Sequence, residues 1–211
     1  MAKERILLLG AGGHGKSVIE AIESEGRFEI AGILDSPDKV GQTLLGYPVL
    51  GTDADLHAFI TSIPNVIIAV GQLKSAAKRK QLFQLAKDAG AILPVIVAST
   101  AYVSKHATLA EGTVVLHQAF VNAAARIGKN SIINTSAIVE HDATIGDHCH
   151  ISTKAVINGE CSLGHEVFIG SGAILKNGIF IQDKVVIGAG AVVLKTGKTN
   201  SVLVGNPAKE I

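Results

Sequence analysis

Between Val97 and Val193 an aliphatic residue returns at every sixth position without interruption. The series is Val97, Val103, Leu109, Val115, Val121, Ile127, Ile133, Val139, Ile145, Ile151, Ile157, Leu163, Ile169, Leu175, Ile181, Ile187 and Val193. Four residues after each, the chain is small in most units, with Val167, Ile179 and Val185 as larger exceptions. A helix of 3.6 residues per turn cannot hold a sixfold beat this long, and a strand of period two would not single out one position in six. A fixed short repeat marks a solenoid, and the hexad marks a parallel β-helix. Six residues make one short strand and one turn, so three hexads close a triangular coil. The aliphatic residue points inward and stacks on its equivalent one coil away. The small residue also points inward, near a corner where bulk would overfill the core. Stacked at about 4.8 Å, the coils make a rod roughly 27 Å long. Gly128, Gly146 and Gly164, and likewise Gly170 and Gly188, recur at one-coil spacing directly after the inward aliphatic residue. Relief of a strained turn is the expected reason.

Residues 1–93 read differently. Arg5 to Leu9 is a buried strand run that enters Gly10-Ala11-Gly12-Gly13-His14-Gly15-Lys16, followed by an amphipathic helix with Val18, Ile19 and Ile22 on its apolar side. Glu29 to Leu34 is a second strand ending at Asp35, and Tyr47 to Gly51 a short strand or turn. Asp53 is the expected N-cap of a short helix reaching Ile60. Val66 to Val70 is a third strand ending in Gly71-Gln72, a helix follows from about Ser75 to Ala89, and Ala91 to Leu93 returns to a strand. Strands alternating with helices predict a small parallel α/β domain. The expected organisation is therefore an α/β Rossmann-like domain over residues 1–93 and an all-β helix with a C-terminal tail over residues 94–211.

The glycine loop matches G-x-G-x-x-G through Gly10, Gly12 and Gly15, with Asp35 twenty residues further on. Alone this reads as a dinucleotide site. Only one mononucleotide-sized half is present, however, and the repeat replaces the half that would hold a nicotinamide. What survives is physical. Glycines let a phosphate or sugar approach the backbone, and the helix N-terminus favours its negative charge. Asp35, at a strand's carboxyl end, is placed to accept a hydrogen bond from a base or ribose.

Composition narrows the partners. Basic and acidic residues balance at ten each up to Pro94 and stand at nine and eight beyond it, so neither half has the basic surface of a nucleic-acid binder. No apolar run approaches membrane-spanning length, and the start lacks a secretion signal, so a cytoplasmic protein is expected. Cys149 and Cys161 both fall at the inward small position and read as buried thiols of a reducing compartment. Lys74, Lys78, Arg79 and Lys80 form a basic cluster whose plain reading is a solvated helix face.

GAGGHGK near the start, the hexads, TSAIVEHD and the GNPAKEI tail together resemble the bacterial sugar acetyltransferase family of hexapeptide-repeat acyltransferases. That family includes UDP-4-amino-sugar N-acetyltransferases and sialic acid O-acetyltransferases. The resemblance spans essentially the whole chain. It implies a left-handed β-helix, a homotrimer with active sites between subunits, acetyl-CoA as donor and a nucleotide-linked amino sugar as acceptor, with no metal. By position, His141 matches the general base and Asp142 its acidic neighbour, a glutamate in those relatives. Gly12, Gly13 and His14 match the loop that meets the acceptor sugar, and Asp35 and Gly71 match positions lining the nucleotide. Relatives with an acidic pair carry a second carboxylate where this chain has Ser36. His150, Ser171 and Ala189 match contacts to acetyl-CoA, Gly159 a backbone N–H near the thioester carbonyl, and Gly205-Asn206-Pro207-Ala208 a segment beside the coenzyme.

The residue types suit acetyl transfer. An amine is mostly protonated at neutral pH, so the reaction needs a base titrating near 7, for which histidine is the natural choice. A carboxylate beside it selects the tautomer and stabilises the imidazolium. The tetrahedral oxyanion needs a fixed donor. Direct attack by the sugar amine, without an acyl-enzyme, is expected, because the cysteines face inward and no Ser–His–Asp arrangement stands out. His141 and His150 are expected to face outward or along a groove, and His106, His117, His148 and His165 to be exposed or locally satisfied. Three other readings compete. A sialic acid O-acetyltransferase calls for more arginine near the sugar. A zinc carbonic anhydrase on the same β-helix would use three histidines across a subunit boundary, but its close H-x4-H pair is missing. A trimeric nucleotide-sugar-binding scaffold would bind the sugar and release no CoA.

Overall fold

The computed structural model describes residues 3–73 and 75–211, and Lys74 of the basic cluster lies outside the described residues. The chain opens with β1 (Glu4–Leu9), α1 (Gly13–Glu25), β2 (Phe28–Asp35), β3 (Thr43–Leu44), β4 (Tyr47–Thr52), α2 (Leu56–Ile60), β5 (Asn65–Ile68) and α3 (Ala77–Asp88). The sheet order is β3-β4-β2-β1-β5, parallel throughout except for the β3–β4 hairpin. Ile6, Leu7, Leu8 and Leu9 are wholly buried because the sheet is covered on both faces. Ile6 and Leu8 face one apolar cluster with α1, and Leu7 and Leu9 face the other with α3. The carboxyl ends of β1 and β5 lie side by side while their connections leave in opposite directions. Open α/β sheets bind ligands at such a switch point.

Three local expectations are corrected. Thr52, not Asp53, opens the short helix: its N–H and hydroxyl both donate to the Asp55 carboxylate, at 2.7 and 2.9 Å, while Asp53 pairs with Lys78 at 2.8 Å. The third strand stops at Ile68, and the run Ala91 to Leu93 contributes only an isolated bridge from Ile92 to Asn65. Arg79 is not on a solvated face. It is 1% exposed, while Lys80 reaches Glu166 at 2.6 Å.

Seventeen two-residue strands then follow, from Ile96–Val97 to Val192–Val193, and form three faces of a left-handed parallel β-helix. Each pairs with its equivalent eighteen residues on, as Val115 does with Ile133 and Ile133 with Ile151. The inward aliphatic and small residues from Val115 to Val193 form one buried cluster. The cysteines belong to it: Cys149 donates to Gly164 O at 3.1 Å and Cys161 to Lys176 O at 3.1 Å. Burial pushes the Cys149 thiol up to about 12 and raises that of Cys161, so neither is a nucleophile. The tail pairs Val202–Val204 with Lys209–Glu210 over the last coil, with Ala208 packed on the core. No helix among the described residues is long and apolar enough to cross a membrane.

The corners differ from expectation. The residue three places after the inward aliphatic is the left-handed one, and from Gln118 to Lys184 it is mostly not glycine, as at Ala124, Ser136 and Lys154. Such residues cost roughly 1 kcal/mol or more each. The offset is a hydrogen bond to the preceding coil, as from Ser136 N to His117 O and from Lys154 N to Thr135 O. The glycines directly after the aliphatic residue have ordinary φ and serve a different need. A Cβ on Gly146 would lie 2.5 Å from Gly164 O, so these glycines permit coils to approach, not turns to bend. The face starting at Ile96–Val97 docks on α1, where Ile96, Ala98, Val114 and Leu116 join the cluster of Val18, Ile19 and Ile22.

Gly146→Ala is therefore expected to destabilise the β-helix by about 2–3 kcal/mol, read as a lower denaturant midpoint. Ser136→Gly, at a corner with φ 57, is expected to be neutral or mildly stabilising by comparison.

Candidate active site

Where the switch point of the α/β sheet meets the β-helix, a cavity of ≈ 660 Å³ opens. Gly13, His14 and Ser17 line it from the start of α1, Gly71, Gln72 and Leu73 from the segment after β5, and Asn134, Thr135, His150, Ser152 and Thr153 from one corner of the β-helix. The four glycines of the loop divide by role. Gly10 has φ +119 and a Cβ there would meet Val70 at 2.6 Å, while a Cβ on Gly15 would meet Gly10 O at 2.8 Å. These two are demanded by the fold. A Cβ on Gly12 or Gly13 would meet nothing within 4 Å, so their smallness leaves room above the helix start. Gly12 is the helix N-cap, with no side chain closing it. The first N–H groups of α1 are thus directed toward that space, as in anion sites at helix N-termini.

His14 and His150 meet across the cavity, ring centroids 6.2 Å apart. His150 points away from the β-helix core and lines the cavity, as expected of a ring along a groove, and it is only 5% exposed because the α/β domain covers it. Its Nδ1–H donates to Gln72 O at 2.7 Å, and its Nε2 accepts from Asn134 Nδ2 at 2.9 Å. Phe168 packs edge-on against it at 5.3 Å. Burial, with Arg79 nearby, takes His150 down to about 4 despite the hydrogen bond to Gln72. Burial, then Arg79 and His150, take His14 down to about 3, and its Nε2 atom has no hydrogen-bond partner among the described residues. Gly71 backs His14, since a Cβ on it would lie 3.3 Å from that of His14. At neutral pH both imidazoles are neutral, and no described lining residue carries a charge.

Asp35 does not line this cavity. Its carboxylate accepts from Ala11 N–H, from Ser36 N–H at 2.6 Å and Oγ–H at 3.0 Å, and from Lys39 at 3.1 Å. Burial opposes its charge, but those donors outweigh it and hold the carboxyl below its usual range. Four donors on two oxygens make it a brace for the glycine loop. It borders a smaller cavity of ≈ 80 Å³ with Asp53 and Lys78.

His141 and Asp142 lie on a different corner, after the strand Ile138–Val139. His141 Nδ1 meets Asp142 Oδ2 at 2.8 Å, and both side chains are more than half exposed. That hydrogen bond raises the imidazole pKa, against slight desolvation and with help from the charges of Asp142, Glu140 and Glu160. With Nδ1–H on the carboxylate, Nε2 carries the lone pair. One coil on, Gly159 stacks beneath the ring: a Cβ there would lie 2.8 Å from His141 Nε2. At the same turn position, the N–H groups of Ala123, Lys129, Thr135, His141, Asp147 and His165 each find a side-chain acceptor. Gly159 N–H has none among the described residues, like those of Thr153, Ser171 and Ala189 at the same turn position, and Gly159 is the one of these four that stacks on a histidine. A histidine lone pair and an unpaired donor are thus side by side on one edge.

Ser171 and Ala189 continue the cavity's corner along the rod: Ser152 Oγ meets Ser171 Oγ at 3.0 Å, and Gly190 N–H donates to Ser171 O at 2.9 Å. The structure therefore gathers Gly13, His14, Gly71, His150, Ser171 and Ala189 on one corner, with His141, Asp142 and Gly159 on the next. Of the remaining histidines, His117 meets Thr100 at 2.8 Å, His148 meets Asn130 at 3.0 Å and His165 accepts from Asp147 N–H at 2.9 Å. No group of three or more His, Cys, Asp or Glu comes together to hold a metal among the described residues. Sequence reasoning missed Ser17, Gln72, Asn134 and Ser152. Asn134 and Ser152 are eighteen apart, so the repeat puts them on one corner, but only the docked domain distinguishes that corner from the other two.

Residues 5–85 match the PglD N-terminal domain, and residues 124–159 the bacterial transferase hexapeptide (six repeats). The chain is 33% identical to the acetyltransferase domain of PglB from Neisseria gonorrhoeae in complex with acetyl coenzyme A, covering 100% of both chains with a TM-score of 0.93. It is 32% identical to PerB from Caulobacter crescentus in complex with CoA and GDP-perosamine, covering 100% of this chain and 98% of that one, TM-score 0.92. WeeI from Acinetobacter baumannii is 26% identical over 99% of this chain and 100% of its own, TM-score 0.85. No curated protein sequence matches.

The brace at Asp35 has a pH signature. Its pKa is lowered in the fold, so its contribution is present above the ordinary carboxylate range and is lost as pH falls through the folded value. Asp35→Asn is expected to lower stability by about 1–3 kcal/mol at pH 7, with the gap to wild type narrowing as thermal melts are taken below about pH 4.

Proposed function

This chain belongs to the bacterial sugar acetyltransferase family of hexapeptide-repeat acyltransferases, and we propose that it moves the acetyl group of acetyl-CoA to the amine of a nucleotide-linked 4-amino-4,6-dideoxy sugar. It is an acetyltransferase; the acceptor, the base and the assembly are our reading. The observation that carries the reading is the pairing of His141 Nε2 with the unpaired Gly159 N–H on one edge. The amine nitrogen attacks the thioester carbonyl and gives a proton to His141 Nε2. Asp142 holds Nδ1–H and stabilises the imidazolium. The tetrahedral oxyanion takes the Gly159 N–H. Collapse breaks the carbon–sulfur bond, and the departing thiolate is protonated as CoA. The bound GDP-perosamine of the Caulobacter enzyme, an amino sugar on a nucleotide, supports this acceptor class.

The uncharged cavity supports an amine in preference to a sialic acid. A sugar carboxylate would find no cation among the described lining residues, whereas a neutral, partly desolvated site favours the unprotonated amine. Gly12, Gly13, His14 and Gly71 receive the acceptor, with its phosphates toward the start of α1. His150, Ser171 and Ala189 lie along the acetyl-CoA track.

A homotrimer is part of the proposal. The outward residues of the second face are Tyr102, Phe120, Ile138, Val156, Ile174 and Val192, apolar at every rung. Tyr102 and Ile174 are 54% and 40% exposed in the single chain. The third face shows mostly Thr, Ser and Arg instead. His141 borders the apolar ladder, and the acceptor cavity lies on another corner, which supports a site completed by a neighbouring copy. The product would feed surface glycan assembly from the cytoplasm, where acetyl-CoA is available.

Thiol release from acetyl-CoA with UDP-, dTDP- and GDP-linked 4-amino-4,6-dideoxy sugars tests the activity. His141→Ala is expected to lose about 10²- to 10⁴-fold in kcat/KM, and full activity in that variant would overturn the assignment. Asp142→Asn replaces the charged acceptor that raises the His141 pKa with a neutral one, so the acidic limb of its pH–rate profile is expected to move to lower pH with a reduced plateau. Gly159→Ala, whose methyl meets the imidazole, is expected to lose activity while keeping the wild-type melting profile to within a few degrees.

A further inference from the structure

β5 is the edge strand of the α/β sheet, and beyond its bridge to Ile92 no strand covers its open side. A buried row of carbonyls there needs donors. Arg79 supplies them from α3: Nη1 donates to Ile68 O at 2.8 Å and to Val70 O at 2.9 Å. The next carbonyl but one, Gln72 O, takes His150 Nδ1–H from the β-helix. Ala69 N–H turns to Leu9 O of β1, so the carbonyls of Ile68 and Val70 turn to the open side, and with Gln72 O beyond them they are met by two side chains where no strand lies among the described residues. Arg79 also ties this edge to the β-helix. Its Nε donates to Asn130 O at 2.9 Å, and Asn130 Nδ2 returns a bond to Arg79 O at 3.3 Å. The guanidinium is 1% exposed, and no carboxylate pairs with it among the described residues. A buried cation is costly to keep without an anion. Its retention at this junction calls for a reason beyond packing.

We propose that Arg79 is a positioning residue for acetyl transfer, the strap that sets the Val70–Gln72 segment against the β-helix and thereby fixes the acceptor wall formed by Gly71 and His14. This rests on the acceptor cavity assigned above. The segment reaches the cavity directly: Gly71 backs His14, and Gln72 and Leu73 line the opening. The acetyl-CoA track meets it at His150, whose Nδ1–H donates to Gln72 O, while Ser171 and Ala189 further along that track do not line the cavity. The planar fork is required because one group must reach the carbonyls of Ile68, Val70 and Asn130 together. An ammonium has no such fixed geometry. The positive charge beside His14 and His150 adds to the burial that keeps both rings neutral.

The test compares wild type with Arg79→Lys, which keeps the buried cation, and Asn130→Gly, which keeps the left-handed corner but deletes the return bond. Steady-state kinetics with both substrates are paired with hydrogen exchange of amides 69–73. Arg79→Lys is expected to raise the acceptor KM about tenfold or more, leave the acetyl-CoA KM within about twofold and speed exchange at 69–73 but not in strands 138–193. Asn130→Gly is expected to do the same more weakly. Unchanged acceptor KM and exchange in folded Arg79→Lys would overturn the strap, as would an equal rise in both KM values. If Arg79→Lys does not fold, wild-type exchange at 69–73 in Asn130→Gly overturns it instead. If wild type itself transfers no acetyl group, the exchange comparison still judges the strap, and only the acceptor assignment falls.

Discussion

The interaction on which the molecule depends is the stacking of one coil on the next. Ile133 lies between Val115 and Ile151, paired by parallel backbone hydrogen bonds, and every face repeats this. The stack fixes the spacing along each corner at the separation of neighbouring strands. Two groups eighteen residues apart are therefore held in van der Waals contact without any special device. His141 above Gly159 is one such pair, and Asp147 above His165 another. The precision that acetyl transfer requires comes from the core, because a corner cannot shift without unstacking a rung.

The second constraint is the junction between the domains, where buried polar groups meet. Asn134, His150 and Gln72 form one set of hydrogen bonds between the α/β domain and the β-helix, and Arg79 and Asn130 a second beside it. Apolar contacts of α1 with Ile96, Val114 and Leu116 supply the adhesion, and the polar set supplies the alignment. Burial keeps both histidines uncharged, so the cavity presents hydrogen-bonding groups and backbone dipoles in place of net charge. In the proposed reaction acid–base work falls to His141, whose exposed carboxylate neighbour moves its pKa the other way. Two environments on two corners divide binding from proton transfer.

Much of this was legible in the residues. The hexads disclosed the β-helix, its rungs and its inward set, because an aliphatic side chain in every sixth place has no other use. The alternation of strands and helices disclosed the first domain. What stayed hidden depended on contacts between distant segments. Arg79 sits in a run of lysines and looks solvated until the β-helix covers it. His150 and His141 look alike in the sequence, yet one is covered and the other open. The left-handed corners escaped notice because residues such as Gln118, Ala124 and Lys154 carry no preference for a positive φ. Their conformation is imposed by the coil below. Asp35 matches a fingerprint in the sequence, and only the fold reveals that its oxygens also brace the glycine loop.

The rung bearing Ile138–Val139 is third of six on its face, with Tyr102–Val103 at one end and Val192–Val193 at the other. In a one-dimensional stack, opening begins at the ends and advances coil by coil. The tail and last coils can therefore breathe many times before the disturbance reaches the third rung, and the α/β domain clamps the opposite end. The corner proposed for catalysis occupies the longest-lived stretch of the rod, so on that reading chemical competence outlasts the intactness of the molecule's far end.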